Sequence, residues 1–347
     1  MNETRLIETL KTFTKSEWKQ FEKFAASPFF NNGRNYLPML KQLQPFYPQF
    51  TGDKLTYEYL HKKLYPGKAF NKQMMWNLAS ELEKLTKEFM LQTAFKNERL
   101  ARFTILFDEL DRRKLDKLCL KEIQETEKFF GSLNLGAEYF NSKRIIEDHK
   151  VKYLNSIKGR PDTGFESIIK ETEYLILDFL VGLSAQVWDL HVMKMMYNAS
   201  DKTNVVFEFV KNLDLKKIVD YAEKSNYKYA PVMMFYYNKI MCALFEDEES
   251  YFRDMKLFFD ENYNVFDIKE QKNIIITLAN YCAFKMRLGQ EYYVRILFEI
   301  NKFRLEKGIA AYGNGRITKA LYHQVLRNAL SLNEVKWAEN FIKEYTP

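Results

Sequence analysis

Four lysines surround one tight turn and form a basic cluster of the kind that binds anions. The turn is Tyr65-Pro66-Gly67, and the cluster consists of Lys62, Lys63, Lys68 and Lys72. Two helices joined by a turn with basic residues around it are typical of proteins that bind nucleic acid. The connection from Tyr65 to Phe70 is nonetheless longer than the three or four residues of an ordinary helix-turn-helix. The simpler interpretation is a solvated, charged surface.

A second basic pattern lies near the C-terminus, at Lys319, His323 and Arg327. The three residues follow at intervals of four and therefore share one face of a helix. On the first helix of a helix pair, such a face can line a groove and hold a peptide carboxylate. Asn238 and Asn280, on the first helices of earlier pairs, would then bind the peptide backbone. A solvated polar face is again the simpler interpretation.

Motifs on which enzymatic chemistry usually depends are missing from the sequence. It contains no G-x-G-x-x-G, no G-x-x-x-x-G-K-[ST] and no H-E-x-x-H, and its four histidines are scattered. The three cysteines are far apart, and none belongs to a C-x-x-C pair. We therefore predict no catalytic residue, no cofactor and no metal site. Each cysteine lies in an apolar helical pattern, which indicates buried, reduced thiols and a cytoplasmic location.

The stretch from Thr14 to Arg34 carries the clearest local folding signals. Thr14 followed by Glu17 predicts a capping box at the start of a helix, with Phe13 and Trp18 at the positions of a hydrophobic staple. The helix should run from residue 15 to 26, because Pro28 disfavours helical geometry at the residue before it. An aromatic-rich turn should follow, in which Phe29 and Phe30 anchor the core of the module or its seam with the helices behind it.

Residues 1–96 are predicted to form an N-terminal helical module that is mildly basic. The first hundred residues hold sixteen lysines and arginines against ten acidic residues, which accounts for most of the formal charge of +7. The clearest helix of the module begins after Asn71. It carries a heptad seam formed by Met75, Leu78, Leu82, Leu85 and Phe89.

Residues 97–347 are predicted to form an array of paired helices. The first helices of the last three pairs begin near residues 231, 269 and 316, and pairs that recur at about 34 to 47 residues are typical of α-solenoids. Small residues such as Ala329 and aromatic residues such as Trp337 give the final pair a tetratricopeptide-like character. The fold class is therefore all-α: an N-terminal helical bundle followed by an α-solenoid of antiparallel helix pairs. The last helix ends near Pro347 without a polar cap, so we expect further chain or a partner there.

One long apolar helix is predicted from Phe165 to about Asn198, with Gly182 as a possible break. Its most membrane-like run is interrupted by Asp178 and closed by Asp189, and it is shorter than the roughly 20 apolar residues of a membrane-spanning helix. We therefore expect a buried helix and no association with a membrane.

Taken together, the sequences SEWKQFEKFAASPFFNNGR and LHKKLYPGKAFN and the long helix after them resemble an uncharacterised bacterial family. In that family, an N-terminal helical module precedes tetratricopeptide-like repeats. The resemblance covers roughly residues 5–95; the remainder resembles the family in architecture alone. It implies an intracellular helical scaffold and supplies no catalytic residues.

These observations predict a non-catalytic scaffold or adaptor that binds a protein or peptide partner along the concave face of a helical array. The alternative is a regulator whose basic N-terminal module binds nucleic acid while the array senses a partner. The sequence does not determine the partner or the oligomeric state.

Overall fold

The computed structural model describes residues 1, 3–31, 33–158, 164–197, 205–309 and 316–345, with the backbone alone for 158, 196 and 197. Throughout these residues the regular secondary structure is helical, which confirms the all-α class. The chain divides into two compact units, residues 1–106 and 107–347. The sequence predicted the boundary at residue 96, which is ten residues before the observed one. Residue 96 lies in the turn before helix Arg99–Arg112, and the observed boundary falls inside that helix. The expectation of further chain or a partner at the C-terminus concerns Pro347, which lies outside the described residues.

In the described part of the first unit, six α-helices lie entirely within it and a seventh crosses its boundary. They are α1 (Arg5–Lys11), α2 (Lys15–Ala26), α3 (Pro28–Asn31), α4 (Leu37–Leu43), α5 (Tyr57–Leu64), α6 (Lys72–Phe95) and α7 (Arg99–Arg112). Helices α1, α2 and α5 all pack against α6, whose predicted heptad residues are buried. Helix α6 begins after Asn71 as predicted, and Asn71 caps it, because its Oδ1 accepts a hydrogen bond from the backbone N–H of Met74 at 2.9 Å.

The predicted capping box of α2 is confirmed. The backbone N–H of Thr14 donates to Glu17 Oε2 at 2.7 Å, and the backbone N–H of Glu17 donates to Thr14 Oγ1 at 3.2 Å. The helix ends at Ala26 as predicted. The rings of the predicted staple are both buried: Phe13 packs against Phe21, and Trp18 packs against Tyr47.

The segment after α2 differs from its prediction. Instead of a turn throughout, it begins with the short helix α3, in which Pro28 occupies the first position, where a missing N–H is tolerated. Phe30 stacks on Phe24 with ring centroids 4.0 Å apart. Phe29 is 84% exposed, so the expectation that it anchors the core of the module is wrong. Adjacent residues of a helix point about 100° apart, so only one of the two rings faces the module.

The second unit contains eleven further helices in its described part. They are α8 (Asp116–Gly131), α9 (Tyr139–Lys158), α10 (Phe165–Tyr197), α11 (Val205–Asn212), α12 (Leu215–Lys224), α13 (Ala230–Leu244), α14 (Glu249–Asn262), α15 (Ile268–Arg287), α16 (Tyr292–Glu306), α17 (Lys319–Ser331) and α18 (Val335–Tyr345). From α12 to α18, each helix packs against the next one in the chain.

Helix α13 lies at the centre of this unit. Twelve of its fifteen residues are buried, because α10, α12 and α14 pack around it. Helix α10 also packs against α9 and α15. It runs without interruption through Gly182, so the suggested break is wrong. A glycine inside a helix costs only about 1 kcal/mol, which the packing of so long a helix readily offsets.

The length and composition of α10 would allow it to cross a membrane. The most apolar window of 18 residues within Phe165–Met195 has a mean hydropathy of 1.4, and 39% of that window is buried. The helix is therefore partly buried, whereas the sequence predicted a buried one. Leu175, Ile176 and Phe179 remain exposed on one side of it.

A short backbone contact joins the segment before α9 to the segment before α15. The N–H of Leu135 donates to the carbonyl of Val265 at 2.8 Å, and the N–H of Asp267 donates to the carbonyl of Leu135 at 2.7 Å. Gly136 lies directly against Asp267: a Cβ there would stand 2.7 Å from the carboxyl carbon and closer still to one oxygen. Asp267 caps α15 by accepting the N–H of Glu270 at 2.8 Å.

We expect Gly136→Ala and Gly182→Ala to change stability in opposite directions. The new methyl at residue 136 displaces the capping carboxylate of Asp267, and lost capping with overpacking should cost about 1–3 kcal/mol. A Cβ at residue 182 meets nothing within 4 Å, and alanine in a helix should add about 0.5–1 kcal/mol. Urea unfolding of both variants measures the two changes. Equal effects would contradict the close approach at Gly136.

Candidate functional site

A cavity of about 340 Å³ lies between α10, α13 and α15. We call it the α10/α15 groove. Its lining includes Asp178, Gly182, Ala185, Trp188, Asp189, Lys239, Glu270, Asn273, Thr277 and Asn280. All belong to the second unit, and three separate helices bring them together.

Helix α10 supplies a wall with a carboxylate at each end. Asp178, Gly182, Ala185 and Asp189 follow at intervals of four, three and four residues, which places them on one face of the helix. The two aspartates are about 16 Å apart along the helix axis, and only small residues separate them. Burial raises the pKa of Asp178, an effect that the nearby Arg144 guanidinium partly opposes. Within the described residues, neither aspartate forms an ion pair.

Helix α15 supplies the opposite wall, which carries amides and a hydroxyl. Asn273, Thr277 and Asn280 lie on one face at intervals of four and three residues. Asn273 Nδ2 donates to Glu270 Oε2 at 3.3 Å, and the hydroxyl of Tyr236 donates to Glu270 Oε1 at 3.2 Å. These bonds satisfy a carboxylate that is only 5% exposed.

Lys239 of α13 contributes an ammonium to the lining of the groove. Its side chain is 5% exposed, and burial lowers its pKa, an effect opposed by the carboxylates of Glu270 and then Asp189. Among the residues described, no hydrogen-bond acceptor or ion-pair partner lies within bonding distance of this ammonium. An ammonium has three N–H donors, and that of Lys239 is open to the groove. Lys239 therefore offers donors that the chain itself does not use.

The groove is a small cavity that presents hydrogen-bonding groups of several kinds. Carboxylates, amides, a hydroxyl and an ammonium together suit a polar, extended ligand that offers both donors and acceptors. Over the described ranges, no group of three or more His, Cys, Asp and Glu residues is placed to hold a metal ion.

The residues of the predicted peptide groove do not come together. Asn280 lines the α10/α15 groove, but Asn238 is 5% exposed within the core of α13 and does not. Lys319, His323 and Arg327 share an exposed face of α17, which packs against α16 and α18. The sequence therefore located one of the five residues in this groove.

The predicted basic cluster of the first unit is exposed. All four lysines, Lys62, Lys63, Lys68 and Lys72, are open to solvent. Three of them lie over aromatic rings, with the ammonium of Lys72 4.7 Å from the ring centroid of Trp76. Trp76 is itself 46% exposed. In the described part of the chain none of the four forms an ion pair, so their charge is available to an anion.

Sequence reasoning missed most of the α10/α15 groove, although one signal was present. Asp178 and Asp189 interrupt an otherwise apolar helix. Such charged residues can indicate that the helix does not span a membrane, but they can equally indicate a polar site. Lys239 lies in an equally apolar stretch of α13.

Comparison of the chain with protein-family models, curated proteins and solved structures finds no match.

Behind the groove, the imidazole of His191 is buried at the junction of α10, α13 and α15. Its ring lies 5.2 Å from that of Trp188, which lines the groove, and 5.9 Å from that of Phe284. Burial lowers the pKa of His191 to about 4, opposed in part by a hydrogen bond to the backbone of Ala243. Glu246 Oε1 is 3.6 Å from Nδ1.

We expect His191 to make the protein less stable in acid. Because its folded pKa of about 4 lies below the ordinary value of 6.5, the unfolded chain binds the extra proton between these pH values. Its contribution is complete above pH 6.5 and falls by about 3 kcal/mol as the pH drops to 4. In His191→Gln, the free energy of unfolding should therefore fall less over this range, as measured by urea unfolding at several pH values. His323→Gln, on the exposed face of α17, is the control; identical pH profiles for all three proteins would contradict the assignment.

Proposed function

We propose that this protein is a non-catalytic scaffold or adaptor that binds a peptide segment of a partner in the α10/α15 groove. The observation that carries the proposal is the ammonium of Lys239, a residue only 5% exposed, which lines this groove and has no partner among the described residues. A ligand that supplies acceptors would satisfy those donors. The amide of Asn280, half-buried on the opposite wall, can bond to a peptide backbone, which carries one donor and one acceptor per residue.

The successive packing of the helices in the second unit also supports this function. We propose that the successive packing of α12 to α18 is an α-solenoid with tetratricopeptide-like character, as in the bacterial family that the N-terminal sequence resembles. Solenoids offer extended concave surfaces for binding. Tyr322 and Trp337 both stack on Phe341, the kind of aromatic packing that fills the seams of such pairs. The three cysteines are free and buried, which supports a cytoplasmic location.

We expect the full chain to select peptides from a random display library, and Gly182→Trp to abolish their binding. Because nothing lies within 4 Å of a Cβ at this position, the indole would fill the groove without displacing the core. Asn280→Ala should weaken binding up to about tenfold, the effect of losing one hydrogen bond. Isothermal titration with the selected peptides measures both effects.

Two matched variants serve as controls for this experiment. Gly182→Ala adds only a methyl in the same place and should weaken binding much less than Gly182→Trp does. The double variant Lys319→Ala, Arg327→Ala removes the basic face of α17 and should also retain it. Peptides that bind Gly182→Trp normally, and lose affinity only when the α17 face is altered, would overturn the proposal in favour of that face.

Binding of nucleic acid by the first unit is the second candidate. It is favoured by the exposure of the four lysines and by the exposed ring of Trp76 beside Lys72, because bases stack on aromatic rings near basic residues. If all four lysines contact phosphates, the logarithm of the association constant for duplex DNA should fall with that of salt concentration with a slope of about −3.6.

The salt dependence can be measured by fluorescence anisotropy with a labelled duplex. Each of Lys68→Ala and Lys72→Ala should reduce the slope by about 1. The matched control is Lys319→Ala, which removes an exposed lysine from the other unit. Absence of binding at low salt would exclude this candidate.

A further inference from the structure

The charges around the α10/α15 groove form two groups. Glu270 and Lys239 lie at its floor, and the carboxylates of Asp178 and Asp189 lie at its rim. Glu270 and Lys239 are both 5% exposed, and the carboxylate of Glu270 is the first of two charges that favour the ammonium form of Lys239. Glu270 is also held by the bonds from Tyr236 and Asn273. These two opposite charges therefore balance each other inside the protein. With Asp178 and Asp189 on the rim, the described lining carries three carboxylates against the single ammonium of Lys239, so negative charge is in excess.

A ligand must satisfy both parts of this arrangement. An anion is unsuitable for Lys239, because Glu270 and Asp189 stand near the same ammonium and would repel it. A neutral carbonyl oxygen can accept a hydrogen bond from Lys239 without that repulsion. The rim carboxylates in turn favour cationic groups on the ligand, with which they form charge-assisted hydrogen bonds.

The spacing of the two rim carboxylates limits the conformation of the ligand. An extended peptide rises about 3.3 Å per residue, so about 16 Å corresponds to roughly five residues. Alternate side chains point to opposite sides, which favours basic residues four or six positions apart. A helical ligand would use its own carbonyl groups internally and leave none for Lys239. Gly182 and Ala185 leave room for an extended backbone between the aspartates.

We propose that the α10/α15 groove recognises an extended peptide with two basic side chains four or six residues apart, which bind Asp178 and Asp189 while a backbone carbonyl between them accepts a hydrogen bond from Lys239. This inference rests on the proposed function and adds the chemistry of the ligand. It makes α10 the helix that determines specificity, and α13 and α15 the helices that hold the backbone.

The test uses fluorescein-labelled dodecapeptides of serine and threonine that carry two lysines two, four or six residues apart. Matched peptides carry glutamine or glutamate in place of the lysines. By fluorescence anisotropy, the peptides with spacings of four and six should bind the full chain at least about tenfold more tightly than the glutamine peptides. The double variant Asp178→Asn, Asp189→Asn should reduce this preference to about twofold or less.

Asp254→Asn is the matched control, because it removes an exposed carboxylate of α14 that is not part of the groove. It should retain the preference for lysine. Glutamate peptides that bind as tightly as lysine peptides would overturn the inference, and so would a preference that survives in the double variant. Failure of the lysine peptides to bind at millimolar concentration would also overturn it.

The results separate this inference from the proposed function. Peptides that bind without preference for lysine, but lose binding in Gly182→Trp, would refute the inference and leave peptide binding in the groove intact. Peptides whose binding is unaffected by Gly182→Trp would refute the proposed function itself.

Discussion

Burial of α13 on nearly every side is the constraint on which the second unit depends. A helix with twelve of fifteen residues buried fixes the helices around it, because each must present a complementary apolar face. Phe235 illustrates this, since its ring contacts Phe258 of α14 and Phe266 just before α15. The positions of α10 and α15 relative to each other therefore follow from the packing of α13, and the groove between them is a consequence of that packing.

Helix α10 combines an apolar side that packs in the core with a polar side that lines the α10/α15 groove. Leu180 and Val187 turn into the core, whereas Asp178 and Asp189 lie along the groove. Apolar side chains on the core side hold the helix in place, so its polar face does not need to contribute to stability. Desolvation of Asp178, seen in its raised pKa, opposes folding, and a rigid helix can tolerate such a cost.

Local sequence signals predicted the boundaries of helices in this protein well. They could not predict which helices come into contact in the folded chain. Helix α2 begins and ends where the sequence indicated, because its capping box and Pro28 act within a few residues. The groove joins Asp178 to Asn280, which are a hundred residues apart, and its formation depends on how far each helix is rotated about its own axis. Periodicity identifies the apolar face of a helix, but α13 is apolar on almost every side and gives no such direction. For this reason Asn238 was assigned to a surface while Lys239, its neighbour, was overlooked.

Several departures from the ordinary rules of sequence and structure meet in one place. A lysine lies in an almost fully buried helix, two aspartates interrupt an apolar helix, and a glycine occupies the middle of that same helix. The burial of Lys239, the partial burial of Asp178 and the helical glycine each reduce stability when considered alone. Chance would scatter such residues over the molecule, whereas packing brings Lys239, Asp178, Asp189 and Gly182 to a single cavity. Proteins depart from these rules chiefly where function requires it, which is the physical reason for proposing that the α10/α15 groove binds a ligand.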